Sequence, residues 1–283
     1  MVRAKVAAVS VAASLGLAAE EAVVLFNSNK LALRVTPCDV LARVTSVGLK
    51  AAELELQRAL RLAQAGCPVG AVHPQVAPVV YERDGFAVTL WTCYDSAAHP
   101  FSAEDYAHAL AQLHAGMRTT DLASPRFTDR IAEAQQVAAN PDLSPDLCES
   151  DRELLAGRLA DLRHLIDTFG APDQLLHGEP HPGNVLGTRH GPVFIDFETV
   201  CRGPVEFDLA HVPEAVCQHY SGSNQELLDI CRQLVVAMIA AWRWEARDEF
   251  PNRQYWRHAL LHALREGLPW PDPDAMSPRF QSS

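Results

Sequence analysis

Short strand-like apolar runs lie between Ala22 and Trp91, interrupted by one segment of helical spacing, and helical spacing holds over most of the chain from Ser102 on. Ala22–Phe26 and Leu31–Val35 read as two strands around the polar turn Asn27-Ser28-Asn29-Lys30, and Val40–Val44 follows Pro37 as a third. Leu49–Ala65 then changes period: Ala52, Leu56, Ala59, Leu60 and Ala63 fall on one face of a helix. Val76–Tyr81 and Phe86–Trp91 predict a hairpin around Glu82-Arg83-Asp84-Gly85. Ser102, an N-cap residue followed by Glu104 and Asp105, opens a helix to about His114. Further helices are predicted near 127–139, 150–168, 206–218, 224–246 and 251–266. Between them Asn140–Pro145, with two prolines, is a surface loop, and Leu268–Phe280 is an irregular tail. At the start, Arg3 and Lys5 precede Val6–Leu17, an apolar run that superficially imitates a signal peptide. The run is mostly Ala, Val and Ser and leads into Glu20-Glu21 without a turn signal, so it is predicted to be an N-terminal helix of the folded domain. No stretch approaches the ~18 consecutive apolar residues of a membrane span. The pattern predicts an α+β chain, with a small antiparallel sheet first and a larger, mainly helical part after it.

The chemistry concentrates in His177-Gly178-Glu179-Pro180-His181-Pro182-Gly183-Asn184, followed by Asp196-Phe197-Glu198. A His, an acid two residues on and an Asn five residues after the acid is the order of a protein-kinase catalytic loop. A second acid ends the next apolar run, Val193-Phe194-Ile195-Asp196, where a kinase places its metal-binding aspartate. Phosphoryl transfer needs a carboxylate to orient the attacking hydroxyl, and an amide oxygen with a second carboxylate to hold Mg²⁺ against the nucleotide phosphates. A turn at Arg189-His190-Gly191-Pro192 allows a hairpin to bring Glu179, Asn184 and Asp196 together. Earlier in the chain Arg43 stands in the third strand, where a kinase carries its phosphate-pairing Lys, and Glu53 and Glu55 are candidates for its helical partner. The first turn has no glycine. Asn27, Ser28 and Asn29 can still turn tightly, as a cover for phosphate or as a plain hairpin.

The motif run resembles the H-G-D-x-H-x-G-N-x-L … I-D-F-E signature of the aminoglycoside phosphotransferase-like family of small-molecule kinases. Gly203-Pro204-Val205-Glu206-Phe207-Asp208-Leu209-Ala210 resembles that family's G-P-x-x-x-D-L-A, Leu110–His114 its L-x-x-L-H, and Gly66-Cys67-Pro68-Val69 its G-x-P-V. The resemblance covers roughly residues 20–215. It implies a two-lobed protein-kinase-like fold: an N-lobe over 1–94 covering the nucleotide, and a helical C-lobe over 95–283 with the catalytic loop (177–198) and acceptor-binding helices. ATP, or less favourably GTP, would be the phosphoryl donor and Mg²⁺ the cofactor, with a small-molecule hydroxyl as acceptor. Glu179 would orient or deprotonate that hydroxyl, and Asn184 and Asp196 would hold Mg²⁺. Arg43 would pair the phosphates and Glu55, which fits the family spacing better than Glu53, would set Arg43. His177 and Asp208 would brace the loop, and Glu198 would contact the acceptor or the surroundings of the metal. Backbone near Thr92 and Cys93 would read the base, with Trp91 or Tyr94 beside it.

One departure matters: the family has Asp where this chain has Glu179. A longer side chain moves the carboxylate by more than ~1 Å, a misplacement that can cost about 10²-fold in rate. A kinase fold that binds nucleotide without transferring phosphate is therefore the main alternative. A remoter one treats His177-x-Glu179 with His181 or His211 as the metal triad of an oxygenase. No P-C-x-x-C follows for a zinc deaminase, and His258 and His262 lack the Glu of H-E-x-x-H. His114 reads as a structural histidine.

Composition adds limits. Twenty-four Lys and Arg against 35 Asp and Glu give a net charge of −11, which argues against nucleic-acid binding. Seven cysteines without a C-x-x-C pair suit a reducing cytoplasm, with most of them core fillers. Neither a membrane nor a nucleic acid is an expected partner, and a monomer and a homodimer are both compatible with the sequence.

Overall fold

The computed structural model describes residues 1–27, 30–46 and 49–267. In chain order the first elements are α1 (Val2–Ser14), β1 (Ala19–Asn27), β2 (Leu31–Pro37), β3 (Val40–Thr45), α2 (Leu49–Gln64), β4 (Tyr81–Arg83), β5 (Phe86–Thr92) and α3 (Ala103–Thr119). They are followed by α4 (Phe127–Ala139), α5 (Glu149–Phe169), β6 (Gln174–Leu176), β7 (Val185–Thr188), β8 (Gly191–Phe194) and β9 (Cys201–Gly203). The last are α6 (Val205–Leu209), α7 (Glu214–Cys217), α8 (Gln225–Arg243) and α9 (Arg253–Glu266). This is the α+β class expected, with a small antiparallel sheet and a helical part. Packing divides the described residues into two compact units, Met1–Leu122 with Gly183–Glu198, and Ala123–Pro182 with 199–267.

In the first unit, five antiparallel strands form a sheet in the order β1-β2-β3-β5-β4. Leu33, Val35, Val40, Ala42, Val44, Val88 and Leu90 make one buried cluster with Ala4, Ala8, Val11 and Ala12 of α1. The small alanine face lets the helix lie close on the sheet, and each fully buried Val or Leu contributes roughly 1.5–3 kcal/mol. The N-terminal apolar run is thus a core helix of this unit. The α2 helix buries Ala52, Leu56, Ala59 and Leu62, and on the same face it buries two charged residues, Glu55 and Arg58. The segment after α2 is tied to β8, because Phe194 N–H donates to Pro68 O and Gly70 N–H to Phe194 O, both at 2.8 Å.

Two expectations about this unit change. The fourth strand was expected over Val76–Tyr81, but the ladder is Tyr81–Arg83 against Phe86–Val88. Pro74 and Pro78 keep the preceding stretch out of a ladder, and Asp84 and Gly85 supply the two positive φ angles (53° and 81°) of a two-residue turn. The helix from Ser102 runs to Thr119 instead of stopping near His114, burying Leu113, His114 and Met117, and its start carries a Ser102–Asp105 capping box. The tail over Leu268–Phe280 lies outside the described residues.

The second unit is mainly helices packed on helices. Leu155, Leu159, Leu162 and Ile166 of α5 and Leu227, Leu228, Cys231, Leu234 and Val235 of α8 are buried at helical spacing. The single helix expected near 206–218 is two short ones, α6 and α7, because Pro213 stands between them as the N-cap of the second. The short pair β6–β9 carries the chain into and away from the motif region. Among the described residues no helix is long and apolar enough to cross a membrane.

Candidate active site

The first unit contains a cleft of about 460 Å³, including the part open to solvent, lined by Ala32, Leu41, Gly70, Trp91, Thr92, Tyr94, Leu186 and Ile195 together with Arg43, Glu55 and Asp196. Arg43 comes from the middle of the sheet, where β3 is paired on both sides by β2 and β5. One of its terminal nitrogens bonds Glu55 Oε1, and the other lies 3.3 Å from Asp196 Oδ2. Burial acts against the Arg43 charge, but Glu55 and Asp196 outweigh it and hold the guanidinium above its ordinary pKa. Burial also pushes the Glu55 carboxyl up, opposed by Arg43 and Lys30. Asp196 stands in the left-handed region at φ 67°, at the end of the strand that α2's exit segment ties down.

Two residues without a role in the sequence reading join this group. Lys30 Nζ lies 2.5 Å from Glu55 Oε2 and also pairs with Glu198. Arg58, one helical turn after Glu55, donates to the carbonyls of Phe197 (2.8 Å) and Glu198 (2.7 Å). A signal for Arg58 existed: a charged residue on an apolar helix face, three positions from another. Lys30 carried none, since a Lys in a polar turn normally faces water. Glu53 is exposed, so the pairing choice falls on Glu55.

The remaining candidates of this unit are placed as follows. Asn184 is buried at the end of a short turn of 3₁₀ helix, and its carbonyl accepts from Ile195 N–H at 3.0 Å, which joins it to the strand bearing Asp196. Thr92 lines the cleft, and its N–H donates to Ala71 O at 2.8 Å. Cys93 does not line it. Its thiol is pushed up to about 11 by burial and by Asp39. Asn27 is exposed at the end of β1, and Ser28 and Asn29 lie outside the described residues. Asp196 and Asn184 offer a carboxylate and an amide oxygen, the hard oxygen donors that Mg²⁺ takes alongside phosphate, so the residues present fit the ion.

The second unit shapes the other half of the motif. Asp208, fully buried, accepts from His177 N–H and Gly178 N–H, each at 2.8 Å. Thr199 Oγ1 donates to His177 O at 3.2 Å, and Glu179 N–H reaches His177 Nδ1 at 3.4 Å. Gly178 is required twice over, by its φ of 91° and because a Cβ would sit 2.0 Å from Thr199 O. The loop is therefore held rigid, and it presents Glu179 to Arg130 of α4. Arg130 pairs with the Glu179 carboxylate, donates to Gly178 O at 3.0 Å and stacks over the Trp242 ring at 5.2 Å. Burial alone would raise the Glu179 carboxyl, but Arg130 brings it down to about 2. His211, buried with its ring edge-on to Phe207, is pushed down to about 4 by burial. Its Nε2 has no hydrogen-bond partner among the described residues. Arg130 carried no sequence signal: it lies beside Phe127 and Ile131 in a pattern that reads as an ordinary amphipathic helix. Among the described residues no group of three His, Cys, Asp or Glu is placed together as a metal triad would be.

Comparison with known proteins bears on the family and the fold. The phosphotransferase enzyme family (APH) matches residues 27–250. No curated protein matches the chain in sequence. Among solved structures, a choline/ethanolamine kinase family protein from Mesorhizobium loti superposes with a TM-score of 0.67 at 14% identity, over 91% of this chain and 92% of its own. Amicoumacin kinase hAmiN, in complex with AMP-PNP, Ca²⁺ and Ami, gives 0.66 at 9% identity over 90% and 92%. The aminoglycoside phosphotransferase APH(2")-IIIa, in complex with GDP and kanamycin, gives 0.63 at 17% over 88% and 93%. At these identities the structures speak for the kinase-like fold, and the family assignment rests on the matched 27–250 region: the chain belongs to the phosphotransferase enzyme family.

Proposed function

We propose that this small-molecule phosphotransferase transfers the γ-phosphoryl group of ATP, or of GTP, to a hydroxyl of its acceptor. The observation that carries the reading is the Arg43–Glu55 pair joined to Asp196 at a cleft with apolar walls. Such a cleft suits a base and ribose, and the charged group suits phosphates. Neighbours in this fold bind AMP-PNP in one case and GDP in another, which supports a nucleotide co-substrate of either base. Mg²⁺, held by Asp196 and Asn184, would neutralise charge on the transferring phosphate. Arg43 would pair the phosphate oxygens with its planar fork, and Glu55 would keep it aimed. The acceptor oxygen forms the new bond to phosphorus, the bond to the bridging oxygen breaks, the nucleoside diphosphate leaves with that electron pair, and the hydroxyl proton is released to solvent. Glu179, ionised far below neutral pH, is a weak base. Its part is to accept the hydrogen bond of the attacking hydroxyl and aim it, which suffices where proton transfer is a small part of the barrier. The seven described cysteines are free, which supports a reducing, cytoplasmic setting.

The Arg130 clamp on Glu179 favours one second reading, a protein that binds nucleotide and does not transfer phosphate. The test for the first step is a thermal-shift titration with ATP and Mg²⁺, beside Asp196→Ala. A Mg²⁺-dependent rise in Tm that the variant loses supports the site. Release of ADP on adding an acceptor alcohol from a panel then separates transfer from binding alone. No shift with ATP or with GTP at millimolar concentration refutes the assignment.

A further inference from the structure

Lys30 is one of three lysines in the chain, and its ammonium is turned away from water. Its side chain is only 10% exposed, and it meets two carboxylates, Glu55 at 2.5 Å and Glu198. Lysine is among the residues least often buried, and holding one down needs a reason. The partner Glu55 is the one that Arg43 binds through its other oxygen, and Arg43 in turn reaches Asp196. Lys30 does not itself line the cleft, but its ammonium is joined through Glu55 to the charged group that does, from the residue just before β2, whose Ala32 lines that cleft. Three carboxylates, Glu55, Asp196 and Glu198, face two cations there, Lys30 and Arg43.

The turn that Lys30 closes has no glycine, so its backbone lacks the residue type that lets N–H groups come close to a phosphate. An ammonium on a four-carbon stem reaches further than a backbone N–H. Its three donors rotate freely about the terminal bond, and two carboxylates occupy only two of them. We propose that Lys30 is a phosphate-binding residue of this site, contacting the terminal phosphates of a nucleoside triphosphate from the first turn, with Glu198 and Glu55 holding its ammonium in place. The proposal rests on the nucleotide reading above. A lysine that served only to hold the fold around Glu55 would, when removed, weaken adenosine and ATP alike by disturbing the cleft, whereas a phosphate contact distinguishes ligands by their phosphates.

The experiment measures binding of ATP with Mg²⁺, and of adenosine, to the wild-type protein, Lys30→Ala and Lys30→Arg by isothermal titration calorimetry. Loss of one charge-assisted hydrogen bond predicts that Lys30→Ala binds ATP at least ~10-fold more weakly. Adenosine binds within about twofold of wild type, and Lys30→Arg recovers most of the ATP affinity, because the positive donor returns. Unchanged adenosine binding also serves as the measure that the variant is folded. ATP affinity in Lys30→Ala equal to wild type overturns the proposal alone, as does an equal loss for adenosine and ATP. A wild-type protein that binds neither ATP nor GTP overturns the nucleotide reading and this proposal with it.

Discussion

Replacing Arg130 by Met removes the cation from Glu179 and leaves a chain of similar length over Trp242. Glu179 is held from its ordinary 4.5 down to about 2. At 1.36 kcal/mol per pKa unit that difference corresponds to about 3 kcal/mol at neutral pH. The Glu179 side chain is 28% exposed, so water recovers part of the loss and about 2–3 kcal/mol is the expected cost, near the lower end for breaking a buried pair. The sign with pH follows from the depressed carboxyl. In the wild type the stabilisation is present above 4.5 and is lost as pH falls toward 2. In Arg130→Met the buried carboxylate has no guanidinium, burial raises it, and the variant gains relative to wild type as pH falls and Glu179 takes a proton. Urea unfolding at pH 7 and pH 4.5 measures both effects, and Arg130→Met/Glu179→Gln completes the cycle. The double variant is expected to recover most of the loss, because a neutral amide replaces the stranded charge. A loss of less than ~0.5 kcal/mol at pH 7 would refute the reasoning, since surface substitutions typically fall in that range. So would a loss equal at both pH values, which would assign the effect to packing on Trp242.

Two further outcomes follow from the brace behind the loop. Asp208→Ala strands the N–H groups of His177 and Gly178 in a buried place, which predicts a loss of about 3 kcal/mol or more in thermal or urea unfolding. Asp208→Asn keeps one accepting oxygen and should lose roughly half as much. Gly178→Ala must be accommodated at φ 91° against Thr199 O. It is expected to lower Tm by more than any other single alanine in the loop, and a Tm within a degree or two of wild type would count against the geometry described.

Much of the architecture was legible because secondary structure is written in near-neighbour periodicity. Ala52, Leu56 and Ala59 mark α2, and the short apolar, β-branched run Val40–Val44 marks β3. The errors fell where one local residue competes with that pattern. Pro74 and Pro78 removed a strand that the apolar residues suggested, and Pro213 split a helix in two. The family was legible too, because the catalytic-loop order is a short run in which each residue type has one chemical task.

What the sequence determined, then, is the elements and the placing of Glu179, Asn184, Asp196, Arg43 and Glu55 on them. What only the tertiary structure decided is the partners of those residues. Arg130 meets Glu179 from 49 positions away, and Asp208 closes on His177 and Gly178 from 31 and 30. Lys30 turns inward to Glu55 and Glu198, and Arg58 binds carbonyls 139 and 140 positions distant. No local pattern encodes these pairings. A charged residue on a helix or in a turn has the same sequence signature whether it faces water or a buried carboxylate. The choice is made only when packing removes the water and leaves each charge to the nearest opposite one.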